Sequence, residues 1–481
     1  MEPGKSRLWL ACFLTSFFCF CTDLIPCVLA NNPNSTIPEY RDEDVENRLK
    51  NLGTFIVEPR YESVVKAYIK GYVVRNRRSA EIILGRTVIY FPIFEKYLKE
   101  HGLPEELKYL SVVESALNPR AVSWAGAVGL WQFMPDTGRA YGLRIDKQVD
   151  ERCDPQKSTL AAIEYLRHQY EYFGDWSLAL AAYNSGPGRV RRAIRRARSK
   201  DFWKIRKYLP RETRNYVPAF IAATYLAKYF EEHNLQPLYP DLDLQITAAT
   251  RIDHYCTFYR IAQVTGVPLD VIKTLNPAYE NEYVPDTPSG SFVTLPKRVM
   301  PLFENYLIAR EKGDPEFSQT YTSVKVSQGT AESEAYPYHL LVVEEGELLE
   351  DLASEFGCTV HQLMAWNDLS SRALEAGQEI KVYKARNELR ENEKLEFSPV
   401  ALLTQPPINE FQAISQTLPP STIPAPDYLY VHYTLGKRET LAEVQNKFSA
   451  VPVEASLARA DRKTKKIKTV RIPIAKVEMM R

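Results

Sequence analysis

The sequence predicts a multidomain chain: one all-α domain, then small α+β modules of strand–helix–helix–strand (βααβ) order. Three observations carry that reading. From Asp42 to about Phe230, apolar residues recur three or four apart and strand alternation is nearly absent. After Pro240 the texture changes to short helical runs and short apolar strands. That texture then returns at Leu340–Val382 and, in partial form, at Tyr428–Lys476, so a small unit repeats at irregular intervals. The length of 481 residues suits about three domains. At 45% hydrophobic and 25% charged, the composition is that of a chain with a sizeable core. A net charge of +1 gives no global argument for nucleic acid or a membrane surface as partner. The 29 Tyr and 20 Phe offer flat faces that suit sugar rings, although core packing accounts for them equally.

Taken in order, the chain opens like an export signal. Lys5 and Arg7 precede an apolar run from Leu8 to Cys21, too short to span a bilayer. Val28-Leu29-Ala30 places cleavage after Ala30, making residues 1–30 a signal peptide, with Asp23 an awkward member. Leu24-Ile25-Pro26-Cys27 loosely resembles a lipoprotein box, but Pro26 stands where a small residue is expected. Lipidation there would add peripheral membrane association. Cys12, Cys19, Cys21 and Cys27 lie in this leader. Cys153, Cys256 and Cys358 fall in three different modules without CxxC or metal-ligand spacing, so they read as single buried thiols, with neither metal nor cofactor implied.

Residues 31–78 form an N-terminal extension, Asn- and Pro-rich and disordered at first, helical later. Helical periodicity marks Glu62–Val73, Ala80–Leu84, Phe94–Leu98 and Pro155–Phe173. Asp154-Pro155 gives the last of these an N-cap and an N1 proline, and Gly174-Asp175 ends it. In the module at 240–297, Phe258–Thr265 and Leu269–Leu275 read as helices and Phe292–Leu295 as a strand. The helix Arg298–Arg310 leads out, and Thr320–Val326 alternates like a strand. At 338–384 the order is strand Leu340–Val343, helices Glu350–Phe356 and Val360–Trp366, strand Ile380–Val382. Residues 385–427 are a Pro-rich, semi-rigid linker. In 428–476, Tyr433-Thr434-Leu435, helix Ala442–Phe448 and strand Thr469–Pro473 repeat the pattern.

The chemistry centres on Leu103–Gln132. On one helix, Leu107, Leu110, Val113 and Leu117 share a face with Glu114, and Pro104 suits the first helical position. Desolvation on that face raises a carboxyl pKa and suits it to general acid work near neutral pH. A buried structural glutamate with a backbone or tyrosine partner also fits this stretch. A bend at Asn118-Pro119 and a small-residue turn at Gly126–Gly129 follow. Three clusters stand further on: Gly129-Leu130-Trp131-Gln132-Phe133-Met134-Pro135, Ala182-Tyr183-Asn184-Ser185-Gly186-Pro187-Gly188, and Glu212-Thr213-Arg214-Asn215-Tyr216-Val217. Each is bland alone, a turn or a solvated pair.

Together with Glu114-Ser115, and in this order over about a hundred residues, they closely resemble the soluble lytic transglycosylase family, which is related to goose-type lysozymes. The resemblance covers residues 79–230. It implies an all-α lysozyme-like catalytic domain that cuts the N-acetylmuramic acid to N-acetylglucosamine β-1,4 bond of peptidoglycan. It implies Glu114 as the sole catalytic carboxylate, and Ser115, Ser123, Gln132, Met134, Tyr183, Asn184, Glu212 and Tyr216 as residues that position the glycan. Trp131 departs from the methionine common in the third place of the Gly-Leu-x-Gln motif but keeps its apolar character. Most glycosidases use two carboxylates. The nearby Asp136 sits in a Pro-Asp-Thr-Gly turn and reads as a helix cap. A lone acid must return as base, so the family-implied product is a 1,6-anhydro end. Water as acceptor, or a non-catalytic wall-binding scaffold, are the alternatives.

The segment Leu341–Val382 resembles a LysM domain, a carbohydrate-binding module, through Val343, Gly346, Leu349, Leu352-Ala353, Asn367 and Gly377. Glu347-Leu348 replaces the usual Asp-Thr in its sugar-contacting loop. Residues 240–297, with Leu275-Asn276-Pro277, and 428–476, with Glu439-Thr440-Leu441, resemble degenerate copies. The whole order resembles the membrane-bound lytic transglycosylase D type, which implies a periplasmic location and modules that tether the catalytic domain to the wall through N-acetylglucosamine units. The arginines at 189, 191, 192, 195, 196 and 198 read as a solvated helix face ahead of a patch for anionic wall polymers, as do the basic residues of Arg462–Arg471. The exported compartment argues against nucleic acid.

Overall fold

The computed structural model describes residues 37–52, 55–287, 290–312 and 336–383, together with the backbone of strands 428–434 and 469–475. The signal peptide, the Cys27 box, the strand at 320–326, the linker 385–427 and the helix at 442–448 lie outside the described residues, as do the side chains of the basic cluster at 462–471.

The helical domain is built from α1 (Asp42–Lys50), α2 (Ser63–Lys70), α3 (Arg77–Glu100), α4 (Tyr109–Ser115), α5 (Pro135–Ala140), α6 (Pro155–Phe173), α7 (Trp176–Ser185), α8 (Pro187–Ala197), α9 (Phe202–Ile205) and α10 (Arg211–Tyr229). Local chemistry sets most boundaries. Asp154 caps α6, accepting from the backbone N–H of Gln156 and Lys157, and Gly174 ends it in the left-handed region. Asp175 then caps α7 by accepting from Leu178 N–H. The sequence divides α3 around Pro92, yet the helix runs through it, because Phe91 and Phe94 are fully buried on either side. Leucine and aromatic side chains from α3, α4, α6, α7 and α10 form one continuous core, in which Trp131 is fully buried.

Two expectations for the stretch around Glu114 need correction. Pro104 is extended and precedes a 3₁₀ turn, Glu105–Lys108, so it caps the helical segment from outside. The helix itself stops at Ser115, since Ala116 and Leu117 both take left-handed φ, at 52° and 57°. Leu117 therefore leaves the Glu114 helix but still reaches the core. The presumed turn at Gly126–Gly129 belongs to a small bridged hairpin, with Val128 paired to both Val122 and Phe133.

The chain continues through α11 (Leu242–Gln245), β1 (Thr247–Ile252), β2 (Cys256–Thr257), α12 (Phe258–Thr265), α13 (Leu269–Leu275), β3 (Tyr283–Val284), β4 (Ser291–Pro296) and α14 (Met300–Glu311). Antiparallel β1 and β4 flank α12 and α13. Strand β1, Thr-Ala-Ala-Thr-Arg-Ile, escaped the sequence reading because Ala248 and Ala249, with little strand propensity, break the pattern in its middle. A third unit follows, with β5 (Tyr338–Val342), α15 (Leu349–Phe356), α16 (Val360–Trp366) and β6 (Glu379–Tyr383), β5 and β6 antiparallel. One asparagine locks each unit in the same way. Asn276 donates to Ile272 O and Thr294 O and accepts from Thr294 N–H. Asn367 donates to Leu363 O and Lys381 O and accepts from Lys381 N–H. Each amide thus ties the end of a helix to the returning strand.

Neither unit hangs free of the helical domain. Val128, Val149 and Cys153 share a second core with Phe258, Phe303 and Tyr306. Cys153 and Cys256 therefore lie in one core, while Cys358 is only partly buried. In the third unit, His361 lies between Phe91 and Phe230, with ring centroids 6.1 and 5.8 Å away. Trp366 Nε1 donates to Gln245 Oε1 at 3.1 Å, Tyr336 OH to Asp243 Oδ1 at 2.5 Å, and Arg372 Nε to Glu231 Oε1 at 2.9 Å. Burial pushes His361 down to about 3, which keeps this contact neutral near pH 7. Both units pack against the rest of the chain through these contacts. The C-terminal unit, described by itself, is an antiparallel pair of β7 (Tyr428–Thr434) and β8 (Thr469–Ala475). No helix among the described residues is long and apolar enough to cross a membrane.

Candidate active site

Glu114 is the penultimate residue of α4, just before the two left-handed residues turn the chain away. Arg86 Nη1 supports that exit by donating to Ala116 O at 3.1 Å. The loop that follows is pinned back onto the helix. Ser111 and Ser115 hydroxyls both donate to Leu130 O, at 2.9 and 3.0 Å. Trp131 Nε1 donates to Thr159 Oγ1 on α6 at 3.0 Å, and Tyr183 OH on α7 donates to Trp131 O at 2.7 Å. Four segments distant in sequence therefore fix the floor beneath one carboxyl group.

Tyr216 of α10 donates its hydroxyl to Glu114 Oε1. Burial is the dominant influence on Glu114 and pushes its carboxyl up to about 8; the Tyr216 bond opposes this, and the negative charge of Glu212 adds to it. The group is thus largely protonated near neutral pH and can donate. The phenols of Tyr183 and Tyr216 are pushed well above the ordinary range, by burial first and by the charge of Glu114 second, so both remain donors.

The remaining sequence-derived residues take distinct places. Asn184 and Glu212 meet, Nδ2 to Oε1 at 3.3 Å, and Thr213 Oγ1 fixes the asparagine by donating to Oδ1 at 2.8 Å. Gln132, with φ of 50°, donates to Ala121 O at 3.0 Å and Gly129 O at 2.9 Å. Ser123 Oγ accepts from Ala127 N–H at 2.9 Å, closing the hairpin, and Met134 is exposed beside it in sequence. The buried Ser115 has its hydroxyl taken up by backbone carbonyls. Asp136 lies within the first turn of α5, with Met134 at the N-cap, and its exposed side chain sits 3.6 Å from Arg139. Tyr165 escaped the sequence reading. Its ring lies 5.0 Å from that of Tyr183, tilted by 35°, and it senses the charge of Glu114, but a tyrosine in mid-helix has no local signature.

Asp150, Cys153 and Glu280 stand close enough together for metal ligation. Both oxygens of Asp150, however, are engaged by the Arg152 guanidinium at 2.6 to 3.2 Å, and burial raises the Cys153 thiol to about 12. A buried ion pair and a protonated thiol do not suit a cation.

Three segments of the chain match known domain families. Residues 91–206 match the transglycosylase SLT domain, residues 246–310 the lytic transglycosylase MltD, LysM-like domain, and residues 341–382 the LysM domain. A helical SLT domain followed by LysM domains places the chain in the lytic murein transglycosylase family. Within it, the chain is similar to membrane-bound lytic murein transglycosylase D of Escherichia coli (strain K12), 30% identical over 315 residues, which cover 64% of this chain and 66% of that one. It is also 30% identical over 149 residues to the soluble lytic murein transglycosylase of the same strain, 29% of this chain and 23% of that one. A peptidoglycan transglycosylase, gp16 of Escherichia phage T7, is 35% identical over 132 residues, 27% of this chain and 10% of that one.

Proposed function

We propose that the protein cleaves the β-1,4 bond between N-acetylmuramic acid and N-acetylglucosamine in peptidoglycan and leaves 1,6-anhydro ends. The observation that carries this is a carboxyl group, Glu114, held protonated near neutral pH by burial and oriented by Tyr216. Glu114 gives its proton to the glycosidic oxygen as the C1–O bond breaks. An oxocarbenium-like centre forms at C1, aided by the sugar's own acetamido group. Glu114, now charged, takes the proton of the C6 hydroxyl, whose oxygen bonds to C1. Acid and base are one residue, the proton is returned, and no water is consumed. Glu212, hydrogen-bonded to Asn184, serves as a positioning group on this reading. Ser123, Gln132, Met134, Tyr183 and Asn184 line the glycan path, and Ser115 holds its floor. Supporting the reading are the SLT domain match and the transglycosylase relatives. An envelope location follows from those relatives, with an exported, periplasmic protein as the expectation. The LysM units bind N-acetylglucosamine from their packed positions.

Mass spectrometry of a peptidoglycan digest tests the reaction. Anhydro ends are expected; reducing ends would make the protein a hydrolase, and sacculus binding without fragments would make it a scaffold. A second measurement tests the pairing with Tyr216. In Tyr216→Phe the carboxylate loses a donor that favours its charged form, so the pKa of Glu114 rises above about 8. The alkaline limb of the pH–rate profile should move upward while the maximal rate falls about tenfold, as for loss of one hydrogen bond to a charged group. An unmoved limb would separate Tyr216 from the acid.

A further inference from the structure

Helix α8 leaves the site directly from the Asn184-Ser185-Gly186 turn and buries Val190 and Ala193. Its outer face is arginine. Arg192, Arg195 and Arg196 are exposed, and Arg198 ends the helix in the left-handed region. Arg189 donates to Ser185 O at 2.7 Å and Arg191 lies over the Tyr172 ring, 5.7 Å from its centroid. Among the described residues, no carboxylate forms an ion pair with any of these six side chains. The neighbouring cations differ: Lys204 is near Asp201 at 3.7 Å and Arg206 pairs with Glu62 at 2.8 Å.

Arg192 and Arg196, and Arg191 and Arg195, are like charges four apart on one helix, which repel. The C-terminal helix dipole offsets part of that, but only within the last turn. A face that merely stays solvated would mix signs and use lysine as readily. This one uses arginine alone, whose planar fork matches a carboxylate with two parallel hydrogen bonds. The whole chain carries a net charge of only +1, so the concentration is local.

We propose that the outer face of α8 holds the carboxylate-bearing peptide stems of the peptidoglycan strand whose glycan lies in the groove. The inference rests on the function proposed above. A helix of eleven residues extends about 16 Å, enough to place several guanidinium groups along a stem that hangs from a sugar near Asn184. The site thereby favours stem-bearing wall over bare glycan, and does so in binding more than in the chemical step.

The test uses the full chain carrying Arg192→Gln, Arg195→Gln and Arg196→Gln. Two substrates are compared: intact peptidoglycan, and glycan strands stripped of peptide by an amidase. On intact peptidoglycan KM should rise about tenfold with kcat unchanged, as expected for three exposed ion pairs lost together. On stripped strands neither constant should move. Equal changes on both substrates, or none on the intact wall, overturn the proposal. So does a triple variant whose KM is unchanged but which no longer co-sediments with phosphatidylglycerol vesicles, a result that assigns the face to lipid. If the triple variant loses cleavage of stripped strands through misfolding, Arg195→Glu alone is read against the same pair, with the same expected selectivity. Wild-type protein that releases fragments from neither substrate sinks the enzymatic reading itself; wild-type cleavage of both, with no selectivity change in the variants, sinks only the role of α8.

Discussion

Glu114→Gln protein should release no muropeptides above background, a fall of at least about 10³-fold in kcat, as for loss of a positioned acid that must also act as base. The amide keeps the shape and the Tyr216 contact, but its N–H protons are far too weakly acidic to transfer. Wild-type activity should decline as pH rises through about 8, where the buried carboxyl ionises. A second, opposite readout protects the assignment. The carboxyl is raised from its ordinary 4.5, so between about 4.5 and 8 the folded chain holds a proton that the unfolded chain has released. Its contribution to stability is present below that window and is lost as pH rises through it. The glutamine variant lacks that loss and should melt higher than wild type, by a margin that grows from pH 5 to pH 8. Wild-type release of fragments by the variant would remove Glu114 from the mechanism; unchanged melting at both pH values would contradict its half-buried, protonated state.

Gly129→Ala should be the most damaging conservative change near the site. Gly129 has φ of 92°, and a Cβ there would stand 1.8 Å from Arg152 O and 2.6 Å from its carbonyl carbon. That backbone is held in place. The Arg152 side chain grips Asp150 and also donates to Gly126 O and Phe133 O, both at 3.1 Å. Left-handed strain and overpacking together amount to roughly 3 kcal/mol or more. Gly129 also donates to Ala121 O and accepts from Gln132 Nε2, so any shift displaces the loop under Glu114. Calorimetry should show a lower Tm, and residual activity at a permissive temperature should fall with it. Gly188→Ala, on α8 with open space around its Cα and no left-handed φ, should leave Tm unchanged or slightly raised. Equal melting of the two variants would refute the argument.

Helices with strong end signals were legible in the sequence. Pro155–Phe173, Phe258–Thr265, Leu269–Leu275 and Val360–Trp366 match the structure residue for residue. Asp154, Thr257 and Thr359 cap three of them through their own side chains, and capping is local chemistry. Strand Thr247–Ile252 was not legible, because its partner Ser291–Pro296 stabilises it from across the module. Nor was the stop after Ser115. Ala116 and Leu117 have no intrinsic preference for left-handed φ, and the serine bonds to Leu130 and the Arg86 bond to Ala116 hold that exit in place. The docking of the third unit is likewise a matter of Phe91, Phe230, Gln245 and Glu231, none of which advertises a partner.

Residue types and local periodicity are properties of the chain as written: a glutamate among apolar neighbours, tyrosines and an asparagine at motif positions, and glycines where the chain must turn. What Glu114 becomes depends on how the helices pack. A carboxyl pKa depends on the water excluded from it and the charges around it, and both come from α6, α7 and α10, the last reaching it from Tyr216, 102 residues further along. Periodicity places a carboxyl on a face; only packing removes its solvent, and that removal keeps the proton on Glu114 near pH 7.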